Sequence, residues 1–123
     1  MSAASEFVSQ LLLARDRAHL AHWKVTGTGS FAAHMALGEF YEKLIDLTDK
    51  FVEQYQGSYD ELLDIDLSTG GQTEIKKFLE SQVAWIDAHR SRVCNQHDTS
   101  LQNTIDEILR LYETTLYKLR FLS

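Results

Sequence analysis

The sequence predicts an all-α protein, an antiparallel four-helix bundle with a long connection between the second and third helices. Its 123 residues contain no proline, the residue that a helix interior tolerates least. Glycines at positions 27, 29, 57, 70 and 71 separate four segments in which apolar residues recur at helical spacing. Hydrophobic residues make up 44% of the chain, which is enough for one compact core. We therefore expect a single domain over residues 1–123.

The first two predicted helices run from about Ser5 to Val25 and from about Ser30 to Gln56. His22 falls on the apolar stripe of the first helix. The inner stripe predicted for the second helix comprises Leu37, Tyr41, Leu44, Ile45, Thr48, Phe51, Val52 and Tyr55. The opposite side of that helix is polar and predicts a face exposed to solvent, formed by Glu39, Glu42, Lys43, Asp46, Lys50 and Gln54.

The third predicted helix runs from about Thr73 to Cys94, and the fourth begins at Thr99. The sequence Thr99-Ser-Leu-Gln102 fits a capping box, in which the threonine caps the helix and the glutamine follows three residues later. The inner positions of the fourth helix are spaced alternately by four and three residues: Leu101, Ile105, Ile108, Tyr112, Thr115, Leu119 and Leu122. This spacing is typical of a helix packed at a shallow angle against its neighbours.

The connection from Gly57 to Gln72 is long for a bundle of this size. It interleaves acidic residues with leucine and isoleucine in the sequence Asp60-Glu-Leu-Leu-Asp-Ile-Asp-Leu67. This pattern predicts a short amphipathic helix packed across the bundle.

Composition and charge argue against several classes of function. The chain has 12 basic and 18 acidic residues, a net charge of −6, and no basic cluster, so direct DNA binding is not expected. No apolar run is long enough for a membrane-spanning helix. The N-terminus lacks the pattern of a signal peptide, and the single cysteine, Cys94, cannot form an internal disulfide. We therefore expect a cytoplasmic protein.

Two histidines and two carboxylates form a candidate metal site. His22 closes the first predicted helix and His34 opens the second, where Asp49 and Glu53 follow on the flank of the apolar stripe. Imidazole and carboxylate together are a ligand set for iron, manganese or zinc. The acids of one chain could meet the histidines of another across a twofold axis. The same spacing also fits histidines that hydrogen-bond in the core and acids that are merely solvated.

The sequence around these residues extends the pattern. It reads His22-Trp23-Lys-Val25-Thr-Gly27 and Phe31-Ala-Ala-His34, followed by Tyr41, Asp49 and Glu53. This arrangement resembles the core motif of the Dps proteins, the mini-ferritins of the ferritin-like superfamily. In that family a His-Trp pair ends the first helix, a second histidine follows twelve residues later, and an Asp-x-x-x-Glu pair lies further along the second helix. The motif covers residues 18–57, and the four-helix pattern extends the similarity more loosely to the whole chain.

The resemblance implies a ferritin-like bundle with a ferroxidase site between subunits. His22 and His34 of one chain would face Asp49 and Glu53 of a twofold partner and bind ferrous iron for oxidation by peroxide or oxygen. Trp23 would lie beside the site. Members of the family assemble into hollow shells that store ferric mineral, so the resemblance implies self-association as a homodimer or a larger shell.

The chain departs from the family pattern in three places. Gly38 stands where the family has an acid four residues after His34, so one carboxylate of the second iron position is absent. The adjacent Glu39 lies about 100° further round the helix. The basic N-terminal tail is also absent, and the connection between the second and third helices is reduced. Two hypotheses therefore stand: an iron-binding protein with a weakened ferroxidase centre, or a non-enzymatic bundle with a degenerate metal site that acts as an assembly or interaction module.

Overall fold

The structure, a computed structural model, describes residues 1–67 and 73–122 and has four helices in that part of the chain. Helix α1 spans Ala3–Lys24, α2 spans Ser30–Tyr59, α3 spans Ile75–Val93 and α4 spans Thr99–Phe121. The helices pack against one another around a shared hydrophobic core. The predicted all-α four-helix bundle is confirmed. None of the described helices is both long and apolar enough to cross a membrane.

The start of α4 differs from the predicted capping box. The N-cap is Asp98, whose carboxylate accepts a hydrogen bond of 3.2 Å from the amide of Leu101. Thr99 is the first helical residue, one position after the cap. The side chain of Gln102 turns toward α3, where it accepts a 2.8 Å hydrogen bond from Nε of Arg90. The capping-box prediction is therefore wrong, because a tertiary contact occupies the glutamine that the box requires.

Contacts between the helices fix their directions. The guanidinium of Arg17, in the last third of α1, lies 3.9 Å over the ring of Phe78 at the start of α3, so these helices are antiparallel. Lys118 near the end of α4 is 2.9 Å from Glu39 near the start of α2, so this pair is antiparallel too. Among the described residues α1 and α4 each pack against both α2 and α3, which lie diagonally opposite each other. The chain therefore runs up, down, down and up, the single-crossover connectivity of ferritin-like bundles.

The described part of the connection after α2, residues 61–67, runs along the bundle without helical structure. Leu63 and Ile65, two positions apart, pack half-buried against the core, as expected for an extended segment with one face inward. The hydroxyl of Ser9 in α1 donates a 2.7 Å hydrogen bond to the carbonyl of Asp66, which ties the segment to the bundle.

The short amphipathic helix predicted within Gly57–Gln72 is therefore wrong for residues 61–67. Residues 57–59 extend α2, and residues 68–72 lie outside the described part of the chain. The reason is distance: α2 ends at the opposite end of the bundle from the start of α3. Extended chain advances about 3.3 Å per residue and a helix only 1.5 Å, so a helix would not cover that length in so few residues.

The buried stripe of α2 is turned slightly from the predicted one. Phe40, which the apolar pattern missed, is fully buried in the centre of the bundle. Tyr41, Ile45 and Val52, predicted as inner positions, are only half-buried. Because α2 packs against both α1 and α4, the most buried residues of α2 face the space between those two helices. Tyr41, Ile45 and Val52 lie at the edge of this buried face.

Candidate metal-binding site

His22 and His34 form a compact pair where α1 ends and α2 begins. Their ring centroids are 3.6 Å apart, and the rings are nearly parallel, with an interplanar angle of 20°. The Nδ1 atom of His22 lies 2.6 Å from the carbonyl oxygen of His34. The Nδ1 atom of His34 lies 2.8 Å from the carbonyl oxygen of His22. The structure thus brings together the two histidines that the sequence analysis selected.

These reciprocal hydrogen bonds determine where each imidazole carries its hydrogen. A carbonyl oxygen can only accept, so each Nδ1 must be the donor and carry the hydrogen. In the neutral imidazole, Nε2 then keeps its lone pair, which is the form that binds a metal. Neither Nε2 has a hydrogen-bond partner within residues 1–67 and 73–122. A backbone carbonyl that fixes the remote ring nitrogen is the usual support of a metal-ligating histidine.

A series of aromatic contacts lies beside the histidine pair and involves Tyr41, His19 and Trp23. Tyr41 of α2 stacks on His19 with ring centroids 4.2 Å apart and meets His22 edge-on at 5.5 Å. The resemblance places Trp23 beside the site. Its ring centroid lies 4.2 Å from that of His19, and the side chain is 66% exposed. The sequence analysis did not select His19, although its position three residues before His22 was a usable signal.

Asp49 and Glu53 lie much further along α2. Asp49 follows His34 by fifteen residues, which is about 22 Å along a helix. Both carboxylates are exposed, and no ion pair involves either of them within the described chain. They line one side of a shallow surface depression together with Asp46, Lys50 and Gln54.

Besides Lys50, a second cation lies close to the carboxylates. Arg15 of α1 lines a smaller depression together with Asp49. Its guanidinium is paired with the neighbouring Asp16 at 3.1 Å, in an exposed contact. The candidate site therefore has two chemically different parts, with imidazole rings at one end of α2 and exposed carboxylates further along it.

A single chain does not bring the four predicted ligands together. Within residues 1–67 and 73–122 no group of three or more histidine, cysteine or acidic side chains could hold one ion. The polar side chains buried in the bundle interior are all neutral: Ser5, Ser9, Thr48, Gln82, Thr104 and Thr115. A site built from the four selected residues would therefore need a second chain.

The fold and these residues define a class: an all-α four-helix bundle with one crossover connection and two separated pairs of potential metal ligands. Within that class, the chain belongs to DUF5856, a family of unknown function whose model matches residues 22–119, the segment that holds all four ligands. It is also similar to an uncharacterized 14.6 kDa protein of Enterobacteria phage T4, from the mobD-ri intergenic region. The two are 28% identical over 121 residues, which cover 96% of this chain and 88% of the phage protein. No solved structure matches the chain.

Proposed function

We propose that this protein binds ferrous iron, its substrate, for oxidation and sequestration at a site completed by a second copy of the chain. His22 and His34 of one protomer and Asp49 and Glu53 of another would supply the ligands. The observation that carries the proposal is the hydrogen bonding of the two histidines. Both Nδ1 atoms are engaged, and neither Nε2 atom has a partner within residues 1–67 and 73–122. Bound ferrous iron would be open to oxidation by peroxide or oxygen.

The donor chemistry fits this substrate. Neutral imidazole and carboxylate bind iron, and the same set also suits manganese and zinc. Asp49 and Glu53 are one helical turn apart, so their side chains share a face of α2 and can approach one ion together. Neither carboxylate is neutralised by an ion pair within the described chain, so both keep their charge available for a cation.

The surface around the ligands supports association of two chains. Phe31 and Met35 of α2 and Trp23 of α1 are 77%, 49% and 66% exposed, which is unusual for side chains of this size. Phe31 and Asp49 are eighteen residues apart, five full helical turns, so the apolar and acidic residues share one side of α2. If two copies pack with their α2 helices antiparallel, the histidine end of each meets the acidic part of the other.

The first experiment is an anaerobic titration of the metal-free protein with ferrous iron, with the mass followed by light scattering. We expect saturable binding by a dimer or larger assembly, and oxidation of the bound iron on addition of peroxide. His22→Ala and Glu53→Gln should each abolish binding. His97→Ala, at an exposed histidine outside the helices, is the matched control and should leave binding unchanged. Binding that survives His22→Ala would refute the proposal.

A mixing experiment tests whether two chains share the site. Neither the His22→Ala protein nor the Glu53→Gln protein has a complete set of ligands by itself. In a mixed dimer, however, one of the two sites joins the intact His22 of one chain to the intact Glu53 of the other. Dissociating and reassociating the two variants together should therefore restore binding to part of the wild-type level. A site within one chain would gain nothing from mixing.

A second candidate function rests on the same hydrogen bonds. The reciprocal bonds link α1 to α2 without any metal, and in this second function that link would be the only role of the two histidines. In that case the protein is a non-enzymatic assembly or interaction module of the same fold. A folded assembly that binds no ferrous iron in the titration would favour this function.

A further inference from the structure

The backbone of α2 lies directly beneath the ring of His22, at Gly38. A Cβ atom built on Gly38 would lie 3.1 Å from Cε1 and 3.4 Å from Nδ1 of His22. The shorter of these distances is below ordinary van der Waals contact, so the His22 ring would have to shift by a few tenths of an ångström to admit a Cβ. The imidazole therefore occupies the volume into which any side chain at position 38 would project.

The His22 ring has little room to withdraw. Its Nδ1 is held 2.6 Å from the carbonyl oxygen of His34, and one face is stacked on the His34 ring at 3.6 Å. Tyr41 approaches it edge-on with centroids 5.5 Å apart. Moving the ring away from Gly38 would strain both the hydrogen bond and the stack. A side chain at position 38 would therefore strain the contacts that hold His22 in its observed position.

The neighbouring acid does not replace the missing carboxylate. Glu39 is turned toward α4, where its carboxylate lies 2.9 Å from Nζ of Lys118 and 3.8 Å from Nζ of Lys43 on its own helix. The hydrogen bond and charge of Lys118, with a smaller effect of Lys43, hold the pKa of this carboxyl below its usual value. Glu39 is thus committed to the side of α2 that faces α4, away from the histidines.

We propose that Gly38 is a specificity-determining residue that limits the site to one ion per chain, an inference that rests on the proposed function. The glycine admits the His22 ring and offers no side chain to a second ion, and the ring lies where the Cβ of any other residue at position 38 would project. Because one ferrous ion gives up one electron while reduction of peroxide to water takes two, a one-ion site favours binding and storage over rapid peroxide reduction.

Equilibrium dialysis against ferrous iron without oxygen tests the stoichiometry. We expect one ion per chain for the wild-type protein. Gly38→Ala and Gly38→Asp should each weaken binding about tenfold or more by displacing His22, and Gly38→Asp should gain no second ion. Gly57→Ala is the matched control, because it lies in the same helix and a Cβ there meets nothing within 4 Å. Its affinity should equal that of the wild type.

The outcomes separate this inference from the proposed function. Two ions per wild-type chain, a second ion gained by Gly38→Asp, or an unchanged affinity in Gly38→Ala would overturn the inference and leave iron binding intact. A wild-type protein that binds no ion would overturn the proposed function and, with it, the one-ion limit.

The packing on which the inference depends can also be measured without metal. In the metal-free protein, nuclear magnetic resonance should show a contact between the Cε1 hydrogen of His22 and the α-hydrogens of Gly38. Gly38→Ala should shift the His22 ring resonances, and Gly57→Ala should not. An unshifted His22 ring in Gly38→Ala would show that the alanine is accommodated and would overturn the inference.

Discussion

The hydroxyl of Tyr112 donates a 2.6 Å hydrogen bond to Oε1 of Gln82 in the centre of the bundle. Both side chains are buried. Nε2 of Gln82 in turn donates to the backbone carbonyl of Gln10 at 3.0 Å and to its side-chain oxygen at 3.1 Å. Three helices thus meet at one neutral polar chain, α4 through the tyrosine, α3 through Gln82 and α1 through Gln10. The arrangement satisfies the polar atoms of the tyrosine and the buried glutamine without any charge.

Removing both partners of the hydrogen bond between Tyr112 and Gln82 should cost less than the two separate losses added together. Gln82→Leu leaves the Tyr112 hydroxyl buried without its acceptor, and we expect a loss of about 2 kcal/mol in the free energy of unfolding. Tyr112→Phe should cost about 1 kcal/mol, since Gln82 keeps its bonds to Gln10. The double variant leaves neither group unpaired, so its loss should fall well below the sum. Urea unfolding of all four proteins gives the coupling energy. Strictly additive losses would contradict this account.

The histidine pair should stabilise the metal-free protein. His22→Ala and His34→Ala each remove a ring donor and leave a carbonyl without that partner, so each should lower the free energy of unfolding by about 1 kcal/mol. Because the rings also stack on one another, the double variant should lose less than the sum by at least about 0.5 kcal/mol. The measurement is urea unfolding in the presence of a chelator, with the exposed His97→Ala as the control. If the loss in unfolding free energy of the double variant equals the sum of the single losses, the two rings do not act as a pair.

The sequence was sufficient to predict the helices because each carries a strong apolar period. The prediction from sequence failed where one residue pattern is compatible with two different local structures. The spacing of Leu63 and Ile65 is compatible with both a short helix and extended chain, and only the need to return along the bundle selects the latter. The N-cap of α4 was misplaced because Gln102 bonds to Arg90, which lies twelve residues earlier in the chain and on another helix.

The sequence allowed the proximity of His22 and His34 to be predicted, but not the arrangement of their rings. The spacing of His22 and His34 indicated that they belong together, and the structure places their rings in contact. Their reciprocal bonds depend on how closely α1 approaches α2, which Gly38 permits and no periodicity reveals. Asp49 and Glu53 were selected for a partner chain, so a single chain leaves their role as a prediction.

The turn between α1 and α2 should depend on two glycines. Gly27 and Gly29 have φ angles of 87° and 79°, in the left-handed region that side chains disfavour. Alanine at either position should destabilise the protein by about 1–2 kcal/mol. Gly57→Ala, within α2 and without steric conflict, should instead stabilise it by about 0.5–1 kcal/mol. Thermal unfolding of the three variants checks the opposite signs. A loss of stability in Gly57→Ala would mean that its surroundings are tighter than the structure indicates.

Stability should fall on the alkaline side because three buried acids resist ionisation. Burial raises the pKa of the Cys94 thiol from 9.0 to about 11, helped by the charge of Asp98. Burial, with a hydrogen bond to Glu61, raises the pKa of Tyr55 from 10.0 to about 12. Complete burial also raises the pKa of the Tyr112 hydroxyl. In each case the unfolded chain loses its proton at a lower pH than the folded one.

The sign of the effect follows from proton linkage. Between the unfolded and folded pKa values the unfolded state binds fewer protons, so rising pH favours unfolding. The stabilisation should be complete below about pH 9 and should decline as the pH rises toward 11, by up to about 1.4 kcal/mol per pH unit for each group involved. Cys94→Ala should remove the earliest part of the decline, and the exposed Tyr117→Phe should leave it unchanged. Urea unfolding at pH 7, 9 and 10 measures the slopes. Equal slopes for Cys94→Ala and wild type would mean that the thiol ionises as readily in the folded protein as in the unfolded chain.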